Sequence, residues 1–124
     1  MLDYAHTPSS LKNVLETVTA YAKGRVICAW GVGGDRDTAK RPIMGEISGK
    51  FADYTILMSD QVRGEDPEKI LREIESGLKT ITKNYEIVID RKEGIEKAIR
   101  MAKKEDTILI PGFRTWYVPR NKRG

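Results

Sequence analysis

The chain has 124 residues and a mass of 14.0 kDa, room for one domain with a proper core, and reads as a single folding unit rather than a two-domain enzyme. Hydrophobic residues at 40% and charged residues at 32% exclude a disordered chain, and no apolar run approaches the ~20 residues that span a bilayer, so no membrane partner is expected. The net charge of +4, with a pI near 9.2, would favour an anionic partner only if the charge were spread over the domain.

Thr7 followed by Pro8 is a helix start, a hydroxyl cap before a proline whose missing N–H costs nothing there. Leu11, Val14, Leu15, Val18 and Ala22 then keep one apolar helical face, and Gly24 marks the stop. Residues 25–30 form a short run rich in β-branched side chains, a buried strand that ends in Gly31, Gly33 and Gly34. The single cysteine, Cys28, lies in this run. It reads as a buried structural thiol in a reducing cytoplasm.

A second helix is expected from about Pro42, with Ile43, Met44, Ile47 and Phe51 facing inward. Residues 53–59 read as a strand and 60–65 as a loop, and Asp66-Pro67 opens a third helix with Ile70, Leu71, Ile74 and Leu78 on one face. Residues 86–90 are the next strand. Residues 91–104 follow as a helix with Ile95, Ala98, Ile99 and Ala102 inward, and 107–110 as a last strand. Strands alternating with helices of this length describe βαβ units. The expected fold class is α/β: a Rossmann-like, mostly parallel sheet with helices on both faces, truncated at its first strand because almost nothing precedes the first helix. Turns that follow the strands then share the carboxyl edge of the sheet, where such folds bind ligands.

The charge is not spread. Residues 113–124 hold Arg114, Arg120, Lys122 and Arg123 with no acidic residue, so residues 1–112 sum to zero. The tail is a separate feature, and its basicity is poor evidence for nucleic acid.

Residues 31–37, Gly-Val-Gly-Gly-Asp-Arg-Asp, follow a strand and lead to a helix near Lys40, Arg41 and Pro42. Glycines permit close backbone approach, and Arg36, Lys40 and Arg41 bring cations to a helix N-terminus, which favours anions. On the residues alone, two readings stand: a phosphate-binding loop, or a solvated turn whose Asp and Arg side chains pair with each other. The spacing matches neither a Walker A loop nor a dinucleotide fingerprint. His6, the one histidine, precedes a helix start and has no nucleophile partner in view, and one His with one Cys cannot build a zinc site, so no metal ligand and no catalytic residue is assigned. Asp60, Gln61, Val62 and Arg63 end a strand. An arginine there can fork onto a carboxylate or pair with Glu65 on the surface.

The ordered set Asp3-Tyr4-Ala5-His6-Thr7-Pro8, Gly33-Gly34-Asp35-Arg36-Asp37 with Lys40-Arg41-Pro42, Ser59-Asp60 with Arg63, Glu65-Asp66-Pro67, and Asp90-Arg91 with Ile95, Ala98 and Ile99 resembles the C-terminal domain of the Mur ligases. Within that family it is most similar to the UDP-N-acetylmuramoyl-tripeptide synthetases, which add the third amino acid of the peptidoglycan stem peptide. The likeness runs over residues 2–112. It implies an ATP-dependent carboxylate–amine ligase in which ATP phosphorylates the carboxylate of a UDP-muramoyl dipeptide and the incoming amine attacks. ATP and magnesium would be held mainly by a central domain that this chain lacks, together with an N-terminal domain, so the chain alone is expected to be inactive.

By position, the resemblance assigns Asp3, Tyr4, His6 and Arg36 to the nucleotide and Arg41 to the amino acid's carboxylate, with Asp60, Gln61, Arg63 and Gly112 completing the amino-acid site. Where members that add diaminopimelate read Asp-Asn-Pro-Arg, this chain keeps Asp60 and Arg63 but has Gln61-Val62 between them, which favours meso-diaminopimelate over lysine. After Gly112 the family's Gly-Lys-Gly-His-Glu wording is gone. Reading 113–124 one base later permits Gly-His-Gly-Thr-Tyr-Gln-Glu-Ile-Asn-Gly, so the tail is read as a shifted frame. The competing readings are a free-standing nucleotide- or phosphate-binding module, the matching domain of a related ligase such as cyanophycin synthetase, and a structural domain with no ligand.

Overall fold

The computed structural model describes residues 8–32, 39–59, 66–110 and 114–117. Helix α1 (Pro8–Tyr21) begins on its proline, and β1 (Val26–Trp30) follows. The chain continues through α2 (Lys40–Phe51), β2 (Tyr54–Leu57), α3 (Pro67–Leu78), β3 (Tyr85–Ile87), α4 (Arg91–Met101), β4 (Thr107–Ile110) and β5 (Arg114–Tyr117). Two helix starts have the chemistry their sequence announces. The Asp66 side chain accepts from the Glu68 amide at 3.0 Å before Pro67, and Asp90 Oδ2 accepts from the Glu93 amide at 3.1 Å.

The five strands lie in the order β3-β2-β1-β4-β5. β1 is parallel to both β2 and β4, with Cys28 opposite Thr55 on one side and Leu109 on the other, and β2 is parallel to β3. The chain moves outward from β1 to β3, then crosses back through α4 to place β4 on the far side of β1. This doubly wound path puts a switch point between β1 and β4. Because side chains alternate across a strand, β1 feeds two layers. Val26, Cys28 and Trp30, with Leu57 and Leu109, pack against α1, α2 and α3 through Leu11, Leu15, Met44, Ile70, Leu71 and Ile74. Ile27 and Ala29, with Ile56, Met58, Ile108 and Ile110, pack against α4 through Ala98 and Ile95. Helices cover both faces, three on one and one on the other.

Some expectations shift. α2 starts at Lys40 rather than Pro42, α4 stops at Met101, and β3 begins at Tyr85. Strand-like bonding does run past Ile87, since the Val88 amide donates to Leu57 O and the Ser59 amide to Ile89 O. Ile43 and Ile99, expected inward, are 47% and 52% exposed. On α2 the buried face is Arg41, Met44, Gly45 and Ser48, which turns Ile43 outward. On α4, Gly94 and Ala98 take the buried positions, and one residue on from Ala98 the helix has rotated by about 100°. The largest difference is β5. It pairs antiparallel with β4, Ile110 opposite Arg114 and Thr107 opposite Tyr117, so the sheet runs beyond residue 112 into the segment read as a separate tail. Thr115, Trp116 and Tyr117 are strong strand formers, a signal that the basic charge obscured.

Candidate functional site

The four parallel strands present their carboxyl ends along one edge, from which the connections after β1, β2, β3 and β4 leave. Gly31 fixes that edge. A Cβ at this position would overlap the carbonyl oxygen of Met58, so the ends of β1 and β2 approach closely only because residue 31 is glycine. Of the residues assigned from the sequence, Asp3, Tyr4 and His6 (1–7), Arg36 (33–38), Asp60, Gln61 and Arg63 (60–65) and Gly112 (111–113) lie outside the described residues. Thr7 and the glycines at 33 and 34 do too. Arg41 is described, in the first turn of α2 at the carboxyl edge.

That turn is electropositive by construction. Its N-cap residue, Ala39, makes no side-chain cap bond, no acidic residue occupies the first turn, and Lys40 and Arg41 do. Arg41 is 1% exposed, yet it is charged, so its guanidinium must be met by a counter-charge. Glu73 of α3 supplies one: Arg41 Nη1 donates to Glu73 Oε1 at 2.8 Å. The other oxygen of the same carboxylate, Oε2, accepts from Lys69 Nζ at 2.8 Å, one helical turn earlier. Lys69 and then Arg41 hold the Glu73 carboxyl below the ordinary glutamate range, outweighing partial burial.

The pair can form because two glycines let the helices touch. A Cβ on Gly45 would overlap Ile74 O, and one on Gly77 would overlap Pro42 O. Arg41 and Gly45 are four residues apart on α2, and Glu73 and Gly77 are four apart on α3, so the ion pair and the glycine contact share one helix seam. Sequence reasoning missed Glu73. The Lys69–Glu73 spacing is legible as an i,i+4 pair, but a separation of 32 positions between Arg41 and Glu73 carries no local signal.

Beneath the seam, α2 is keyed to the strands by a buried polar chain. Trp30 Nε1 donates to Ser48 Oγ at 3.0 Å, and Ser48 Oγ shares a 2.8 Å bond with Thr55 Oγ1. Cys28 lies in the same layer. Burial pushes its thiol up to about 12, against a smaller opposing effect of a hydrogen bond with Ser48, so it is a packed side chain and not a nucleophile. Among the described residues no group of three or more His, Cys, Asp or Glu side chains could hold a metal ion, and no helix is long and apolar enough to cross a membrane. An open groove lined by Lys79, Thr80, Thr82, Lys83 and Tyr85 lies at the far end of α3, by the amino end of β3, away from Arg41.

Residues 1–114 match the family described as Mur ligase, glutamate ligase domain. The chain is 48% identical over 112 residues to the UDP-N-acetylmuramoyl-L-alanyl-D-glutamate--2,6-diaminopimelate ligase of Clostridioides difficile strain 630, covering 90% of this chain and 23% of that one. It is 52% identical to ligase 1 of the same name in Clostridium acetobutylicum, again over 90% of this chain and 23% of the relative. A solved structure of a UDP-N-acetylmuramoyl-L-alanyl-D-glutamate--2,6-diaminopimelate ligase superposes with a TM-score of 0.81 at 33% identity, covering 98% of this chain and 25% of that one. Escherichia coli FolC in complex with ADP superposes at 0.64 with 23% identity, over 90% of this chain and 25% of that one, and shares the fold. The chain thus spans less than a quarter of the length of these curated relatives.

Proposed function

The chain belongs to the Mur ligase family through its glutamate ligase domain, and from that premise we propose that it is the C-terminal domain of an ATP-dependent ligase that joins meso-diaminopimelate to UDP-N-acetylmuramoyl dipeptide in peptidoglycan synthesis. One observation carries the reading: the relatives at 46% to 52% identity over about nine tenths of the chain bear the name of that diaminopimelate ligase. Because the chain is under a quarter of their length, the domain is read as unable to ligate alone.

In this reading Arg41 meets the carboxylate of the incoming amino acid, with Asp60, Gln61, Arg63 and Gly112 beside it, and Asp3, Tyr4, His6 and Arg36 face the nucleotide. Supporting the first assignment is the first turn of α2, which holds no acidic residue and whose N-cap residue makes no side-chain cap bond, so that a carboxylate is favoured there. ATP, when bound, activates the dipeptide's carboxylate as an acyl phosphate. Magnesium is assigned to the central domain of the ligase, as the family resemblance implies. This chain's own contribution is to bind and orient the amino acid so that its amine reaches the activated carbon. N-terminal and central ligase domains are its proposed partners, the cytoplasm is its proposed location, and neither nucleic acid nor membrane enters the reading. The tail at 113–124 is read as a shifted frame, supported by a family match that ends at residue 114.

The test replaces the matching part of the Clostridium acetobutylicum ligase by residues 1–112 of this chain, keeping that ligase's own ending. Ligation of meso-diaminopimelate in preference to lysine, with ADP release, is expected, and none from the 124-residue chain alone. A folded chimera that prefers lysine or ligates neither overturns the reading. The nucleotide sequence decides the tail: the shifted frame must encode Gly-His followed by Tyr-Gln.

A further inference from the structure

We propose that the groove between the end of α3 and the start of β3 is a docking site for an acidic segment of a protein partner. The groove has a volume of about 650 Å³ and is lined by Lys79, Thr80, Thr82, Lys83 and Tyr85. It lies at the amino edge of the sheet, opposite the edge that carries the candidate site, and so stands apart from the ligase reading. Its charge has one sign. Residues 76–85 hold two lysines and no acidic residue, although residues 1–112 sum to zero. Lys79 and Lys83 are both exposed, and neither makes an ion pair among the described residues. The carboxylate beside them is already engaged: Glu75 Oε2 accepts from the Tyr85 hydroxyl at 2.7 Å and Oε1 from Arg72 Nη1 at 2.9 Å. The Tyr85 bond above all, then Arg72 and the field of Lys79, hold the Glu75 carboxyl below the ordinary glutamate range against partial burial.

A hydroxyl donor and an apolar side chain accompany the two cations. Thr82 Oγ1 accepts from the Asn84 amide at 3.0 Å, which leaves its own proton to donate. Ile81, between the two threonines, is 47% exposed and lies against Gly49 of α2. These features separate the candidate occupants. A small anion needs enclosure, whereas one short stretch of chain lines this groove and leaves it open to solvent. A nucleic acid needs a track of phosphate contacts, and two lysines on a neutral body supply too few. An extended peptide that brings a carboxylate to each lysine and an apolar residue to Ile81 satisfies the charge, the hydroxyl and the exposed isoleucine together. Because exposed ion pairs contribute little each, such docking is weak and sensitive to salt.

The probe is a short acetylated peptide of mixed glutamate and leucine, titrated into the 124-residue chain and followed through the backbone amide resonances of residues 79–85. Those resonances are expected to shift. Lys79→Gln combined with Lys83→Gln is expected to weaken binding by about tenfold, and Ile81→Ser by about threefold. A glutamate-only peptide of equal charge is expected to bind about threefold more weakly than the mixed one. The control, Lys12→Gln with Lys92→Gln, removes the same charge from exposed positions on α1 and α4 and is expected to leave the affinity unchanged. Residues 113–124 are basic in every variant alike, so the ratio between the two double variants isolates the groove. No binding, shifts confined to residues outside 79–85, or an equal loss in the two double variants overturns the proposal. So does a single-stranded oligonucleotide that displaces the peptide from 79–85 at equal concentration. None of these outcomes touches the ligase reading, which the chimera decides.

Discussion

Arg41 Nη1 and Glu73 Oε1 stand 2.8 Å apart across the seam between α2 and α3, one on a guanidinium that is 1% exposed and the other on a carboxylate that is 31% exposed. The pair is half buried and half wet. Its energetics therefore fall between those of a surface bridge, which contributes little, and of a fully enclosed pair, whose rupture is severe.

Glu73→Gln keeps the shape of the side chain and removes the charge that Arg41 faces. A loss of about 1–3 kcal/mol is expected, from leaving a buried cation with a weaker partner. Urea unfolding of the 124-residue chain measures it as a lower midpoint with an unchanged denaturant slope. Lys69→Met, which breaks only the exposed half of the arrangement, is expected to cost less than about 0.5 kcal/mol.

Three glycines on the same seam separate close backbone contact from ordinary helix propensity. In Gly45→Ala and Gly77→Ala the new methyl meets a carbonyl oxygen of the facing helix, which cannot move aside without parting the helices. Both variants are expected to lower stability by more than about 2 kcal/mol, despite alanine's gain in helix propensity of about 1 kcal/mol. Gly49→Ala meets side-chain carbons of Ile81 and Leu78 at 3.0 Å, which can shift, so thermal unfolding of that variant is expected to stay near that of the parent.

Asp106 contributes to the acid limb of stability. Burial works against its charge, but the Lys103 amide and the Arg25 side chain and amide outweigh it and hold the carboxyl below the ordinary aspartate range. The folded-state value thus lies under the unfolded one. The contribution is complete above the unfolded-state value of about 3.9 and is lost as pH falls through the lower folded-state value. Asp106→Asn is expected to destabilise the chain at neutral pH and to flatten the fall in the urea midpoint below about pH 4. A variant that keeps the parental acid slope contradicts this.

Cys28 is fully buried, with its thiol pushed up to about 12. At pH 8 it is expected to be silent towards a disulfide reagent in the folded chain and to react only as the chain unfolds. Labelling rate against urea concentration therefore gives an opening free energy for β1, the central strand.

Much of the fold is legible along the chain because its signals are local. The face of α3, from Ile70 to Leu78, is written in helical period and starts at an Asp-Pro that caps as such residues do. The run at β1 is apolar on both faces because it lies between two helical layers, and that too shows in the sequence. The rim positions were not legible. Ile43 and Ile99 fit an apolar period but face outward, because the inward places are taken on α2 by Arg41, Met44 and small residues that let it approach α3, and on α4 by small residues that let it approach the sheet. β5 was masked by its charges, although its side chains favour strand.

For the site, the sequence by itself determined the residue types and their order: a glycine-rich turn, the Lys40-Arg41-Pro42 helix start, and the Asp60 to Arg63 turn that mark the family. It also determined that the carboxyl edge is where they must gather, since alternating strands and helices leave no other edge for those turns. Only the tertiary structure decided what becomes of the Arg41 charge. Glu73 is distant along the chain, and it reaches Arg41 because Gly45 and Gly77 remove the side chains that would keep two helices apart. Local periodicity records which face of a helix is buried. It does not record which partner that face meets, and pairing a buried charge depends on the partner.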